Sequence, residues 1–161
     1  MTAATAAAAT QAPPDSALIR QLGHAGLLPF VLLALLLWLL SGQEQVFVSV
    51  ALTSYAALVV SFLGGVHWGI VWMASRLATD ENRNLIARQH LLWGITPPLL
   101  AWPGVLMPPF AGLAWLGFVL VLAYLADRAL YPRAGLQVWL TLRFRLSAIA
   151  ALSCFIGAGA V

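Results

Sequence analysis

The sequence predicts an all-α integral membrane protein, with about five transmembrane helices in a single compact bundle and a cytoplasmic N-terminus. Of its 161 residues, 62% are hydrophobic and 8% are charged, and the mean hydropathy is +0.93. Soluble domains carry about a quarter charged residues, so this chain has too few polar side chains to cover a globule in water. The apolar residues also form five blocks, each with the ~20 residues that a helix needs to cross hydrocarbon. Finally, the basic residues gather on one side of the predicted bundle.

The chain divides into a short tail and one membrane domain. The tail, residues 1–17, begins MTAATAAAATQAPP and is expected to be disordered, because it is low in complexity and lacks apolar periodicity. The transmembrane domain, residues 18–161, contains predicted helices at roughly 23–41, 46–74, 89–107, 111–131 and 139–160. The first apolar block lacks a following cleavage site and is expected to remain as an anchor.

Two of the later elements have distinctive features. The second predicted helix is longer than a bilayer requires and must tilt or extend beyond it. Between the third and fourth helices lies WPGVLMPPF, Trp102 to Phe110, whose three prolines and one glycine predict a helix end and a tight turn.

The positions of the charged residues predict the orientation. All 8 basic residues are arginines, and with five spans they lie on one side at positions 20, 76, 83, 88, 128, 133, 143 and 145. The opposite side carries only Glu44. By the positive-inside rule, the N-terminus lies in the cytoplasm and the C-terminus on the far side of a bacterial inner membrane.

The expected partner of this apolar chain is the lipid bilayer. No basic run with interleaved aromatics predicts a nucleic-acid partner.

A row of small residues follows the second predicted helix at intervals of four. Its members are Ser49, Thr53, Ala57, Ser61, Gly65 and Gly69. Residues at i and i+4 lie one above the other, so this row forms a groove into which another helix can pack closely. We assign Ala57, Ser61, Gly65 and Gly69 to helix packing. Packing within the bundle is the preferred interpretation, and a face for a homo-oligomer or another membrane protein is the alternative.

His67, in the stretch SFLGGVHWGIVW, points away from that row. At 1.5 Å per residue, His67, Asp127, Arg143 and Arg145 fall about 8–10 Å to the cytoplasmic side of the midplane. The third predicted helix adds His90 near the same end. The candidate ligand-binding layer consists of His67, Asp127, Arg143, Arg145, Tyr124, Thr96 and Trp93.

This layer allows three interpretations. Isolated charges are costly in hydrocarbon, so the layer is first expected to pair internally and hold helices together. It is alternatively a pocket for an anionic or quinone-like headgroup. In the third interpretation His67 carries a proton, since its charge changes near neutral pH. The first is preferred.

Motifs that would indicate an enzyme are absent from the sequence. It contains no HExxH, GxSxG, Walker A or dinucleotide fingerprint, so no catalytic residue is assigned and no enzymatic activity is expected. The histidines at 24, 67 and 90 are widely dispersed, and Cys154 is the only cysteine. No metal site, disulfide or cofactor is therefore predicted.

Four segments carry a resemblance to a known family. They are SFLGGVHWG, LLWGITPPLLAW, LADR at 125–128 and WLTLRFRLSAIAAL, in that order. Together they resemble an uncharacterised bacterial membrane family that shares a domain of unknown function with human transmembrane protein 69. The resemblance covers roughly residues 20–160, and its most specific parts are 64–69 and 142–146. It implies a multi-span protein of bacterial or mitochondrial inner membranes and carries over no catalytic residue.

Two functional hypotheses follow. The first is a structural or assembly module that packs with other membrane proteins. The alternative is a binder or carrier of a small lipophilic or anionic ligand at the cytoplasmic-side layer of histidine, aspartate and arginine.

Overall fold

A computed structural model describes residues 16–75 and 81–161 of the chain. Within these ranges every regular element is helical: α1 (Ser16–Ala25), α2 (Leu28–Leu39), α3 (Gln43–Ser75), α4 (Glu81–Leu106), α5 (Pro109–Leu130) and α6 (Leu140–Ala158), with 3-10 turns at Tyr131–Ala134 and Gln137–Trp139. The all-α prediction is confirmed. Most of the tail that we expected to be disordered lies outside the described residues, and so does Arg76. The remainder of that tail, from Ser16, is helical.

The described residues contain four helical stretches that are long and apolar enough to cross a membrane. They are Ala17–Leu39, Gln43–Met73, Pro109–Ala134 and Gln137–Ala158. Helix α4 is the fifth rod of the bundle; it is less apolar, contains three prolines, and packs along both α3 and α5. The protein is thus a multi-pass membrane bundle, as predicted.

The first predicted span is divided into two helices. The chain turns between α1 and α2 at Gly26 and Leu27, and Pro29 lies in the first turn of α2. Proline is well suited to that position because the first backbone N–H groups of a helix have no internal partner. The Tyr55 hydroxyl of α3 donates a 2.8 Å hydrogen bond to the Gly26 carbonyl. This bond attaches the turn to the centre of the bundle.

Helix α4 ends within the segment that predicts a helix end. It contains Pro97, Pro98 and Pro103 and ends at Leu106, one residue before the end expected at 107. Each proline removes one backbone donor, but packing between membrane helices compensates for such losses. Near this region the indole N–H of Trp115 donates a 2.7 Å hydrogen bond to the Leu100 carbonyl.

Helix α3 is central and contacts α2, α4, α5 and α6, while α6 packs between α2 and α5. Glycines allow the closest approaches. A Cβ on Gly64 would collide with the carbonyl oxygen of Gly94, and one on Gly157 would lie 2.9 Å from a Leu52 methyl group. These contacts hold α4 against α3 at one level, and α6 against α3 at another.

The outer surface of the bundle is strongly apolar. Trp38 is 62% exposed, Phe47 75% and Leu58 68%, and many other large apolar side chains are exposed around the bundle. Soluble monomers rarely expose contiguous apolar patches beyond a few hundred Å². Such a surface is expected where lipid replaces water as the solvent.

Candidate functional site

Four helices meet at a buried polar cluster, which we define as His67, His90, Asp127, Arg143 and Ser147. The residues come from α3, α4, α5 and α6, with the last helix contributing two. His67 and His90 are fully buried, Asp127 is 1% exposed, and Arg143 is 9% exposed. These values place a charged network inside the bundle rather than on its surface.

Asp127 is the centre of the polar cluster. Its Oδ1 lies 2.8 Å from Nε2 of His67, and its Oδ2 accepts a 2.6 Å hydrogen bond from Nε of Arg143. Nη1 of Arg143 also donates to the Ser147 hydroxyl, at 2.6 Å, one turn further along α6. Charge-assisted bonds of this kind are shorter and about twice as strong as neutral ones. They connect three helices through one carboxylate.

The two histidines extend this network to α4. Nδ1 of His67 lies 2.8 Å from Nδ1 of His90, and the ring centroids are 5.0 Å apart. Two ring nitrogens can form a hydrogen bond only when one is protonated and the other is not. When His67 donates from Nε2 to Asp127 and is neutral, its Nδ1 therefore accepts a hydrogen bond from the Nδ1–H of His90.

The surroundings of the histidine pair are aromatic and apolar. The ring of Tyr131, which follows α5, lies 5.7 Å from the ring of His67. The Leu130 carbonyl lies beside the His90 ring. Among the described residues, Nε2 of His90 and Nη2 of Arg143 have no partner within hydrogen-bond geometry.

The charges of the polar cluster balance when both histidines are neutral. Asp127 contributes one negative charge and Arg143 one positive charge, and the two are in direct contact. Neutral ion pairs are far less costly in a low-dielectric interior than a single charge.

This arrangement can connect helices, and it can hold or pass a proton between two imidazoles. Among the described residues, no group of three or more histidine, cysteine, aspartate or glutamate side chains is arranged to hold a metal ion.

The structure places the predicted layer residues in two groups. His67, Asp127 and Arg143 meet in the polar cluster. The other four do not join it, and each has a different environment. Arg145 is exposed and lines a separate cleft, the Tyr124 ring contacts Phe144, the Thr96 hydroxyl donates to the Leu92 carbonyl, and Trp93 is half-buried.

The candidate list omitted two members of the polar cluster, His90 and Ser147. His90 begins the third predicted span at the level of His67, so it could have been included from its depth. Ser147 lies four residues after Arg143, a spacing that places both on one helix face. A buried arginine needs several hydrogen-bond acceptors. The four-residue spacing from Arg143 could therefore have identified Ser147 as one of them.

The row of small residues on α3 is packed at one end and open at the other. Ala57 is buried, and the Ser61 hydroxyl donates to the Ala57 carbonyl at 2.8 Å. A Cβ on Gly65 or Gly69 would meet nothing within 4 Å. The packing within the bundle that we expected of this row therefore does not extend to the two glycines.

Comparison with known proteins agrees with this architecture. Residues 15–159 match the model of a family described as a protein of unknown function, DUF3429. The chain belongs to this family. Transmembrane protein 69 of Xenopus tropicalis is 36% identical over 115 residues, which is 69% of this chain and 42% of the relative. The chain thus spans less than half the length of that relative. No solved structure matches the chain.

The family and the relative confirm the resemblance drawn from the sequence segments. DUF3429 carries no stated activity, and the relative's name states only that it is a transmembrane protein. Any more specific function for this chain therefore has to be argued from its own geometry.

Proposed function

We propose that this DUF3429 protein is a structural or assembly module of the bacterial inner membrane, which packs against other membrane proteins. The observation that carries this proposal is the closure of the polar cluster. His67, His90 and Asp127 are almost completely buried, and their bonds connect α3, α4 and α5. Interactions of this kind hold a bundle in one arrangement and give a substrate little access.

The open end of the small-residue row supplies a surface for packing. A shallow cleft lies beside it, with a volume of about 260 Å³, lined by Ser61, Gly65, Trp68, Gly94, Ile95 and Pro98. In lipid, helices associate through close backbone approach at small residues, because there is little hydrophobic drive between them. Gly65 and Gly69 offer that approach on the outer side of α3.

Cross-linking of this chain to neighbouring proteins in native membranes tests this proposal. Gly65→Leu combined with Gly69→Leu would fill the open end of the row without touching the bundle interior. We expect the double substitution to remove cross-linked complexes of the chain and to leave its melting temperature within a few degrees. Ala148→Leu, on the exposed side of α6, is the matched control and should keep the complexes. Complexes that persist in the glycine variant would contradict the proposal.

A second candidate function is the binding of a small anionic or lipophilic ligand at the polar cluster. Two buried nitrogens without hydrogen-bond partners among the described residues favour it: Nη2 of Arg143, a donor for an anion, and Nε2 of His90, an acceptor for a ligand hydroxyl. Buried polar atoms without partners are uncommon and often mark a bound water, ion or ligand. A ligand here would raise the melting temperature of the wild type, and His67→Ala would remove that increase. A loss of stability in His67→Ala with no ligand response in either protein would exclude this candidate.

We also propose that the end of the bundle with the polar cluster faces the cytoplasm, with the N-terminus inside and the C-terminus outside. Asp127 and Arg143 lie at that end, while Glu44 begins α3 at the other. The chain's one cysteine, Cys154, is buried, so background labelling should be low. Single cysteines at Arg133 and Gly42 would be labelled from opposite sides of intact spheroplasts. Labelling of Arg133→Cys from outside would contradict this orientation.

A further inference from the structure

A second charged feature lies outside the polar cluster, in a cleft between α1 and α6. Its volume is about 550 Å³, which is within the range of small-molecule sites. The lining residues are Ala17, Arg20, Gln21, His24 and Arg145. Three of them carry cationic or ionisable basic side chains, and none of the five is acidic. The cleft therefore combines space with positive charge.

Helix α1 is an amphipathic helix at the N-terminal end of the candidate span Ala17–Leu39, where the chain enters the bilayer. Its apolar side chains Leu18, Ile19 and Leu22 are 50%, 41% and 63% exposed. At 100° per residue they occupy one side of the helix, while Arg20 and His24 occupy the opposite side. Such helices bury their apolar face among acyl chains and keep their polar face at headgroup level.

Contact with α6 brings the polar side of α1 to a second arginine. A Cβ on Gly23 would lie 3.1 Å from a Leu146 methyl group, so the two helices approach closely there. Arg145, next to Leu146 in α6, lines the same cleft as Arg20. Arg143, two residues earlier, belongs instead to the polar cluster, because its side chain points into the bundle.

The side chains in the cleft are suited to a phosphate group. Guanidinium groups present planar pairs of N–H donors that match phosphate oxygens. Nδ1 of His24 lies 2.6 Å from the Arg20 carbonyl oxygen, so it donates there and fixes the ring. Nε2 of the neutral His24 ring is then an acceptor, so the Gln21 amide is the further donor that the cleft offers to a phosphate oxygen.

We propose that this cleft binds a phosphate group, supplied by a phospholipid headgroup or by soluble phosphate. Arg20 and Arg145 provide the charge, and the Gln21 amide provides an additional hydrogen-bond donor. The exposed leucines and isoleucine of α1 place acyl chains beside the cleft when the source is a lipid. This site is separate from the polar cluster and from the open glycines of α3, so it does not depend on the function proposed above.

Binding of fluorescent phosphatidylglycerol to the purified full chain in zwitterionic detergent tests the site. Arg20→Gln with Arg145→Gln should weaken binding about tenfold, because two charge-assisted contacts are lost. The matched control is Arg88→Gln with Arg128→Gln, which removes the same charge from two exposed arginines outside the cleft. We expect the control to weaken binding about twofold or less. Equal losses in the two variants would overturn the proposal.

A second variant guards against a folding defect in the first. Gln21→Glu leaves both arginines in place and adds a carboxylate to the cleft, so it should also weaken binding. All substituted residues are exposed, and the melting temperature without ligand is expected to change little. Unaltered binding in Gln21→Glu, together with an unfolded arginine variant, would overturn the proposal.

The source of the phosphate is resolved in dodecyl maltoside, a detergent that contains no phosphate. If millimolar inorganic phosphate raises the melting temperature of the wild type but not of the Arg20/Arg145 variant, the ligand is soluble phosphate. If only added phosphatidylglycerol does so, the ligand is a lipid headgroup. If neither probe separates the wild type from the variant, the cleft is not a phosphate site.

Discussion

The imidazole of His67 and the carboxylate of Asp127 lie 2.8 Å apart, although 60 positions separate them along the chain. Their contact joins the later part of α3 to the last two turns of α5. Arg143 approaches the other carboxylate oxygen at 2.6 Å. Asp127 therefore carries two of the bonds between helices, and its removal should affect the protein more than any other single change in the polar cluster.

Asp127→Asn should strongly destabilise the protein. The substitution removes the negative charge and leaves the guanidinium of Arg143 without compensation inside the bundle. Breaking a buried pair in this way costs about 3–5 kcal/mol. The free energy of unfolding, measured by SDS titration in mixed micelles, should fall by that amount. If the free energy of unfolding falls by less than about 1 kcal/mol, water or a lipid phosphate already balances the charge of Arg143.

Removing both charges provides the control for this prediction. Asp127→Leu combined with Arg143→Met takes away the carboxylate and the guanidinium together, with side chains of similar bulk. Buried ion pairs can often be replaced by apolar residues without loss of stability. We expect the double variant to be more stable than Asp127→Asn. A double variant as unstable as the sum of two separate losses would indicate that the residues act independently.

Two substitutions at His67 separate packing from hydrogen bonding. His67→Gln keeps a donor for Asp127 and much of the volume, and it should cost about 1–2 kcal/mol through the lost bond to His90. His67→Ala leaves a cavity and unpaired partners, and it should cost about 3 kcal/mol or more. SDS titration measures both. If the bundle is an assembly module, His67→Gln also keeps its cross-linked complexes, whereas a proton carrier would lose its function.

The membrane architecture could be predicted from the apolar residues and their spacing. Five apolar blocks are properties of single residues and their order along the chain, and they survive errors of a few positions at helix ends. The depth argument likewise placed His67, Asp127 and Arg143 at one level, because helical rise is constant. Rotation about each helix axis was harder to predict, since it depends on neighbouring helices.

The rotation of each helix about its axis explains why some predicted layer residues, such as Arg145, lie outside the polar cluster. Arg145 lies only two residues from Arg143, but 200° away around the helix, so the two cannot face the same site. The packing of α4 shows a different limit. Proline breaks a helix in water, but in a membrane bundle neighbouring side chains and tight packing support the irregular backbone. Local propensity alone could not reveal that Gly104 packs against Leu116, 2.9 Å from the position of its missing Cβ.

Two adjacent glycines on α3 should respond oppositely to alanine. Gly64 lies against the Gly94 carbonyl, and an added methyl group would force α3 and α4 apart. Gly65 faces open space. We expect Gly64→Ala to lower the melting temperature by about 5 °C or more, as a loss of 1–3 kcal/mol would do. Gly65→Ala should leave it unchanged or slightly higher, because alanine favours helix. Equal effects would mean that the two helices do not meet at Gly64.

Tyr55→Phe tests the attachment of the α1–α2 turn. The Tyr55 hydroxyl donates to the Gly26 carbonyl, and its ring contacts Phe30 edge-on with centroids 5.1 Å apart. Phenylalanine keeps the ring contact and removes only the donor, so the expected loss is about 1 kcal/mol. Tyr124→Phe is a suitable control, because the Tyr124 ring packs on Phe144. Hydrogen exchange at residues 22–30 should increase in the first variant and not in the second.

Gln45 should stabilise the end of the bundle opposite the polar cluster. Its side-chain amide donates to the Leu37 carbonyl at 3.1 Å and to the Ala160 carbonyl at 2.8 Å, so one residue of α3 holds the chain ends of α2 and α6. Backbone carbonyls at helix ends lack internal donors, and few other groups can supply them in lipid.

Gln45→Leu removes both donors while keeping the bulk of the side chain. The expected loss is about 1–3 kcal/mol by SDS titration, with faster hydrogen exchange at the end of α6. Gln43→Leu is the matched control, since Gln43 is exposed at the start of the same helix and should change stability by less than about 0.5 kcal/mol. The contrast depends on burial and bonding, because the two substitutions are chemically identical. If Gln43→Leu destabilises the protein as much as Gln45→Leu, the loss of stability comes from removing any polar side chain at the start of α3. The two carbonyl bonds would then contribute little.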